Sequence, residues 1–231
     1  MTARRYDLEK RISKLVERVM ANSRDPVVFL DSGAILDFEE EIYKRWRLSD
    51  SKNARPSAFY EHLTRNGFPI FVTESVLHEL TPHYENHRIN GNSELSGETF
   101  DVIKSLHSKY CDFMKNVMGN GLDSELARYH TYMASLLAFE EGHKKQCRDK
   151  MSRTDRELIA SALWARYTYV PFGNFGSSKL ISSSIILSPD CHIKGTCDVL
   201  TRQKTFKYQG QNVIPFGYIG LRVINTREDH D

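Results

Sequence analysis

The sequence predicts an α/β domain built around a mainly parallel sheet, and three observations support this fold class. Short apolar segments alternate along the chain with longer segments whose apolar residues recur at helical spacing. The 231 residues are enough to bury a substantial core. Hydrophobic residues form 40% and charged residues 27% of the chain, as in ordinary globular domains. Alternating strands and helices favour a parallel sheet, because parallel strands are joined by helical crossovers.

The N-terminal part predicts a leading helix and then two strand–helix units. Apolar residues recur at helical spacing within residues 1–24. Val27 to Leu30 form an apolar run that predicts a buried strand, and Pro69 to Val72 predict a second, shorter one. Either Thr73 or Ser75 can cap the helix that follows the second strand.

The middle of the chain predicts a helical hairpin inserted into the domain. A polar loop at 88–97 precedes two amphipathic helical patterns, and Gly119-Asn120-Gly121 between them is typical of a helical-hairpin turn. The hairpin can arch over a site, mediate a homodimer or enlarge the core, and the sequence leaves these alternatives open. The predicted division is a leading helix at 1–24, a core at 25–87 and 150–225, an insertion at 88–149 and a tail at 226–231.

The C-terminal part predicts one further helix and the remaining strands. Residues 154–157 (Thr-Asp-Arg-Glu) match a capping box that opens a helix. Ser184 to Leu187 predict a strand that ends at Ser188-Pro189-Asp190, and Leu221 to Ile224 predict the last strand. The aromatic residues Phe206 and Tyr208 favour a β-hairpin over a surface that stacks on bases.

Composition and spacing exclude several classes of protein. The net charge of +2 is too small to indicate nucleic-acid binding by itself. A membrane span is excluded because no apolar run approaches twenty residues, and the first residues lack the apolar segment of a secretory signal. A cytoplasmic protein is therefore expected. The cysteines lack the CxxC spacing of a zinc site or a disulfide framework, which predicts reduced thiols at Cys111, Cys147, Cys191 and Cys197.

Four acidic residues stand where a parallel sheet gathers ligands. Asp31 and Asp190 directly follow predicted strands, whose carboxyl ends bind ligands in open parallel sheets. Glu79 lies in the helix after the second strand, and Asp155 lies in the first turn of a helix leading back to the sheet. Because converging carboxylates repel one another, they need a cation, and hard oxygen donors suit Mg²⁺ or Mn²⁺. Such ions can assist hydrolysis of a phosphodiester without a His, Cys or Ser nucleophile.

The segments around these acids resemble the PIN-domain nuclease family in four places. The matching segments are Val27–Leu36 around the first acid, Thr73–Leu80 around the second, Asp155–Leu163 with its Ile-Ala-x-Ala helix, and Ser188–Asp190 after the last matching strand. The resemblance covers roughly 25–87 and 150–225. It implies a three-layer, flavodoxin-like (PIN-like) fold and a metal-dependent endoribonuclease that prefers RNA to DNA. It also implies that Asp31, Glu79, Asp155 and Asp190 are both the catalytic residues and the metal ligands.

The resemblance also directs attention to the neighbours of these acids. Ser32 and Ser188 are expected to hydrogen-bond the metal ligands. Many members of the family carry a further Asp at the position of His192, so His192 is expected beside the site and a second metal is not implied. The intervals from Glu79 to Asp155 and from Asp155 to Asp190 are both longer than the compact family pattern.

The densest basic stretch directly precedes and surrounds Asp155. Its cations can contact phosphates, although a solvated helix end explains them equally well. The predicted nucleic-acid-binding residues are Lys144, Lys145, Arg148, Lys150, Arg153 and Arg156. A zinc site at His78, His83 and His87 is disfavoured, because Pro82 interrupts their helix and no HExxH motif is present.

Three other functions compete with an endoribonuclease. A non-catalytic PIN-like module can bind RNA or protein through the hairpin. A structure-specific DNA nuclease can use the hairpin as an arch. A toxin of a toxin–antitoxin pair is a third alternative, although such toxins are usually more compact than this chain. Divalent-metal binding separates the nucleases from the binding module.

Overall fold

The structure is a computed structural model that describes part of the chain. The described residues are 26–48, 69–90, 95–118, 151–165, 169–172, 177–180, 183–202, 206–208, 211–214 and 221–226, with the single positions 14, 17 and 21. Most of the predicted leading helix and the second arm of the predicted hairpin lie outside these residues. Within the described part of the chain, no helix combines the length and the apolar character that a membrane crossing requires.

Five helices and eight strands are described, and they are numbered in chain order. The N-terminal half contains β1 (Pro26–Leu30), α1 (Ser32–Leu48), β2 (Ile70–Phe71), α2 (Glu74–Asn90) and α3 (Gly97–Met118). The C-terminal half contains α4 (Arg153–Ala165), β3 (Tyr169–Phe172), β4 (Ser177–Leu180), β5 (Ser183–Leu187), α5 (Cys191–Arg202), β6 (Phe206–Tyr208), β7 (Gln211–Ile214) and β8 (Leu221–Ile224).

Four of the strands form one parallel sheet in the order β2-β1-β5-β8. The predicted α/β class with a mainly parallel sheet is therefore confirmed. Every residue of β1 and β5 is buried, which explains their apolar runs, because strands inside a parallel sheet are covered on both faces. The other strands form two antiparallel hairpins, β3–β4 and β6–β7, so the hairpin predicted around Phe206 is also confirmed.

The strand order contains a topological switch between β1 and β5. From β1 the chain first moves outward to β2, and it later returns to the other side of β1 to form β5 and then β8. At such a switch the connections leave the sheet in opposite directions, which opens a crevice at the carboxyl ends of the two central strands. Asp31 follows β1 and Ser188 follows β5, so both residues stand at this crevice.

The first arm of the predicted hairpin, helix α3, packs on the core. Its Phe113 ring stacks on Phe71 of β2 with the ring centroids 4.9 Å apart. Its Tyr110 ring meets Phe29 of β1 edge-on at 6.3 Å, and Tyr110, Phe29, Phe71 and Phe113 all belong to the buried core. This arm therefore enlarges the core, which is one of the three roles that the sequence leaves open.

Several helix boundaries differ from the predicted ones. Helix α2 passes through Pro82 and continues to Asn90, and α3 begins at Gly97, so the connecting segment is shorter than the predicted loop at 88–97. Helix α1 begins directly after Asp31, where the sequence predicts only an apolar segment. Helix α5 is not predicted at all. It packs against β8 and buries Ile193 on its inner side.

Candidate functional site

Asp31 lies at the junction between β1 and α1. Its backbone N–H donates to the carbonyl oxygen of Leu187 at 3.1 Å, which extends the pairing of β1 with β5 by one residue. Its carbonyl oxygen accepts from the N–H of Ile35 at 3.2 Å, so Asp31 is the N-cap residue of α1. The side chain is only 6% exposed. The fold thus holds a buried carboxylate at the topological switch of the sheet.

Two serine hydroxyls connect this carboxylate to its surroundings. Ser188 Oγ donates to Asp31 Oδ2 at 2.6 Å and accepts from the backbone N–H of Asp190 at 3.0 Å. Ser32 Oγ donates to Glu79 Oε2 at 2.7 Å and lies 3.5 Å from Asp31 Oδ1. Ser32 and Ser188 therefore both hydrogen-bond acids of the predicted site.

The pKa of Asp31 is affected by the charges of Glu79 and Asp155. The pKa of Asp31 is raised from 3.8 to about 6, mainly by burial and to a smaller extent by the negative charges of Asp155 and Glu79. Hydrogen bonds from Ser188 and Ser32 oppose this rise. Both charges therefore act on Asp31, and Asp31 with these two neighbours is called the acidic cluster below.

The helices that carry Glu79 and Asp155 are tied to each other. Ser75, one turn before Glu79 in α2, donates a hydrogen bond to Glu157, two residues after Asp155 in α4. Burial raises the pKa of Glu157, and the nearby Glu74 raises it too. Sequence reasoning missed this contact, because it joins residues 82 positions apart without any motif.

Asp155 also caps its own helix. The backbone N–H of Ser152 donates to Asp155 Oδ2 at 2.8 Å, and the N–H of Asp155 donates to Ser152 Oγ at 3.0 Å. This is a capping box with Ser152 as the N-cap residue. The predicted capping box at 154–157 is wrong by two positions, because Thr154 is buried on the inner face of the helix.

The carboxylate of Asp190 accepts a hydrogen bond from the first turn of helix α5. Its Oδ1 accepts from the backbone N–H of His192 at 2.6 Å, and its carbonyl oxygen accepts from the N–H of Lys194 at 3.2 Å. Asp190 is therefore the N-cap residue of α5. Its connection to Asp31 passes through its backbone and Ser188. Of the four predicted acids, three form the acidic cluster, and the fourth lies next to it.

Three neighbouring side chains of kinds that can ligate a metal lie at the start of α5. Asp190, Cys191 and His192 offer a carboxylate oxygen, a thiol sulfur and an imidazole nitrogen that all lie within 4.8 Å of one another. Asp190 Oδ1 and His192 Nδ1 are 3.3 Å apart. Sequence reasoning assigned Cys191 no role beyond a reduced thiol. The sequence feature that could have revealed this group is its run of three consecutive residues that can ligate a metal.

A close backbone approach holds the Ser188 loop against α1. A Cβ atom added to Gly33 would lie 2.9 Å from Cγ of Pro189 and 3.4 Å from Oδ2 of Asp31. Real Cβ atoms essentially never come within 3.0 Å of a heavy atom, so any side chain here would displace the proline ring. Glycine at position 33 therefore lets the two strand ends meet closely around Asp31.

Only part of the predicted basic surface is described. Arg153 is exposed and lies near Glu157, whose pKa it lowers. Arg156 is half-buried, and its Nη1 donates to the carbonyl oxygen of Met151 at 2.9 Å. The remaining predicted phosphate-binding residues, Lys144, Lys145, Arg148 and Lys150, lie outside the described residues. His78 is exposed and lies 3.8 Å from Glu74 in its own helix.

Comparison of the chain with protein-family models, with curated proteins and with solved structures finds no match. The chemistry of this site is therefore inferred from its own residues. A buried carboxylate with two acidic neighbours and two oriented hydroxyls is an arrangement suited to binding a hard cation.

Proposed function

We propose that this chain is a metal-dependent nuclease of PIN-like fold that cuts phosphodiester bonds within RNA. One observation carries the proposal. The buried Asp31 stands at the topological switch of a parallel sheet, with Glu79 and Asp155 close enough to raise its pKa. The strand order supports the finer description of the fold. Counted along the chain, the four parallel strands stand in the order 2-1-3-4, as in the flavodoxin-like order 2-1-3-4-5.

The donor set fits Mg²⁺ or Mn²⁺. Asp31, Glu79 and Asp155 supply carboxylate oxygens, and these cations bind through a few carboxylates while keeping several waters. The like charges in the cluster are the feature that a cation would compensate. When bound, a divalent cation supplies a Lewis acid that polarises the phosphoryl group and activates water near neutral pH.

The residues of the chain divide the work of building this site. Asp31 is the central ligand, because it is the buried member of the cluster. Ser188 holds Asp31 Oδ2, and Ser32 holds Glu79, so the carboxylates are oriented before a cation arrives. Asp190 completes the site through its backbone contact with Ser188 or through water. Arg153, which is exposed near the start of α4, is suited to contact a phosphate.

The experiment is cleavage of end-labelled single-stranded RNA and of matched DNA, with Mn²⁺ or Mg²⁺ and with EDTA. Wild type is compared with Asp31→Asn and Glu79→Gln. Glu85→Gln is the matched control for Glu79→Gln, because both residues are exposed on helix α2 and the substitution is the same. We expect metal-dependent internal cuts in RNA that Asp31→Asn and Glu79→Gln abolish and that Glu85→Gln retains.

Other results would change the proposal in defined ways. Cutting that survives Asp31→Asn would show that the acidic cluster is not the active site. Equal cutting of RNA and DNA would overturn the preference for RNA, which is carried by the resemblance to PIN-domain nucleases alone. No cutting of either substrate would reject the catalytic proposal.

A second candidate function is a non-catalytic PIN-like module that binds RNA or protein. The observation that favours it is at α5, where the Asp190 carboxylate caps the helix and His192 stands in place of an acid. Calorimetry with Mn²⁺ separates the two candidates. Metal binding that is lost in Asp31→Asn supports the nuclease, and RNA binding without any metal affinity supports the module.

A further inference from the structure

The start of α5 carries a second group of metal-ligand side chains, distinct from the acidic cluster. The group combines a carboxylate, a thiol and an imidazole from Asp190, Cys191 and His192, with all donor atoms within 4.8 Å of one another. The Cys191 side chain is exposed, and His192 and Asp190 are 38% and 35% exposed, so a cation can reach all three from solvent.

The spacing of the oxygen and nitrogen donors suits a small tetrahedral ion. Zinc binds imidazole nitrogen and carboxylate oxygen at about 2.0–2.2 Å, so two such ligands at a tetrahedral angle lie about 3.4 Å apart. Asp190 Oδ1 and His192 Nδ1 are 3.3 Å apart. The nearby lysine, Lys194, points its Nζ at Asp198 Oδ2 at 3.2 Å and forms an ion pair with it. The spacing of Asp190 Oδ1 and His192 Nδ1 therefore matches the one that a tetrahedral zinc ion requires.

We propose that Asp190, Cys191 and His192 form a site for Zn²⁺ or a similar borderline cation, with three protein ligands and a fourth position open to solvent. A thiol and an imidazole favour such a cation over Mg²⁺, whereas the all-oxygen cluster around Asp31 favours the reverse. The chain thus holds two neighbouring metal sites of different selectivity. Ser188 connects them, because it contacts both Asp31 and the backbone of Asp190.

The site does not depend on the proposed nuclease, and its test does not require activity. Co²⁺ is added to metal-free protein, and absorption is recorded in the near ultraviolet and the visible. Sulfur ligation gives a thiolate-to-cobalt charge-transfer band, and four-coordinate geometry gives intense visible bands. We expect both signals in wild type, and we expect stoichiometric Zn²⁺ to remove them.

Variants assign the signal to individual residues. Cys191→Ser should abolish the charge-transfer band, and Cys111→Ser, which changes a thiol elsewhere in the chain, should retain it. His192→Gln should weaken Zn²⁺ binding by about 100-fold or more, since even residues that only support a ligand change metal affinity by about 10–100-fold. Circular dichroism confirms that each variant is folded.

Asp31→Asn separates this inference from the proposed function. The variant should keep the cobalt spectrum while losing nuclease activity. A cobalt–thiolate band in a protein without nuclease activity would leave the zinc site standing and reject the nuclease. The absence of a band in wild type, or a band that survives Cys191→Ser, would overturn the zinc site whatever the activity.

Discussion

Replacing Asp31 with Asn should make the metal-free protein more stable at neutral pH. The pKa of Asp31 is raised from 3.8 to about 6, so the folded state binds its proton more tightly than the unfolded chain does. The stability that this group contributes is therefore fully present below pH 3.8 and is lost as the pH rises through about 6. At 1.36 kcal/mol for each pKa unit, holding the ionised carboxylate in the fold costs about 3 kcal/mol at pH 8.

The variant removes this cost while keeping most of the local contacts. An Asn side chain has nearly the same shape, and its amide oxygen can still accept from the Ser188 hydroxyl. We therefore expect Asp31→Asn to raise the free energy of unfolding by about 1–3 kcal/mol at pH 8, and by about half as much at pH 5. The assay is urea unfolding in EDTA across this pH range. Asp112→Asn, at an exposed helical position, is the control and should change stability little at any pH.

Added metal should reverse the order of the two proteins. Wild type gains about 4.1 kcal/mol of stability when free Mn²⁺ exceeds its Kd a thousandfold, which is more than the expected difference between the two proteins, and Asp31→Asn should gain little. The reasoning would be refuted if Asp31→Asn were less stable than wild type in EDTA at pH 8. It would also be refuted if the difference between the two proteins did not grow with pH.

Four further substitutions test individual contacts of the site. Ser188→Ala removes a hydrogen bond that lowers the pKa of Asp31. The acid limb of the metal-dependent pH–rate profile should therefore move to higher pH, and an unchanged acid limb would contradict this. Ser152→Ala should cost about 0.5–2 kcal/mol in urea unfolding without changing Mn²⁺ affinity, because it removes a helix cap. Asp155→Asn should keep the stability and weaken Mn²⁺ binding in calorimetry. Its amide oxygen can still accept from the Ser152 N–H, but its negative charge is gone. Gly33→Ala should cost about 1–3 kcal/mol in thermal unfolding, because the new methyl group meets the proline ring after Ser188 at 2.9 Å; an unchanged Tm would show that this loop yields easily.

The strands of the central sheet were predictable because burial on both faces of the sheet requires a continuous run of apolar residues. The predicted bounds of β1 and β5 each differ by one residue from the observed Pro26–Leu30 and Ser183–Leu187, and Leu221–Ile224 is the predicted last strand. Fully buried parallel strands appear as continuous apolar runs bounded by polar turns. The short strand Ile70–Phe71 was predicted one residue too long at each end, which is the ordinary uncertainty of strand ends.

The helices α1 and α5 were missed for different reasons. Helix α1 contains good helix formers such as Glu39 and Glu40, but it opens with Ser32 and Gly33, which do not favour a helix, whereas α5 contains Gly195 with several β-branched residues of low helix propensity. Tertiary contacts override these preferences. Each helix starts from an Asp N-cap at a strand end, and α5 buries Ile193 and Cys197 as it packs against β8. Local helix propensity does not take account of the preceding strand end or of the surface on which the helix packs.

The positions of the acids were partly predictable, whereas the contacts between them were not. An Asp directly after a buried strand indicates where ligands gather, and this placed Asp31 at the crevice. The sequence around Asp155 fits two overlapping capping patterns, and only the burial of Thr154 decides for the one that begins at Ser152. The contact between Ser32 and Glu79 joins residues 47 positions apart, so it exists only once the fold brings α1 and α2 together.

Helix capping explains some of the acids in this site but leaves Asp31 unexplained. Asp155 and Asp190 are half-exposed, and each accepts a backbone hydrogen bond at the start of its helix, so structure alone accounts for both. Asp31 is also an N-cap residue, but Ser or Asn would cap the helix about equally well without burying a charge. Asp31 is 6% exposed and has two acidic neighbours, so its ionised carboxylate costs the fold about 3 kcal/mol at pH 8, and capping does not require that charge. A strongly perturbed acid in a crevice is what a functional site predicts, so the case for a bound cation rests on Asp31 and on its neighbour Glu79.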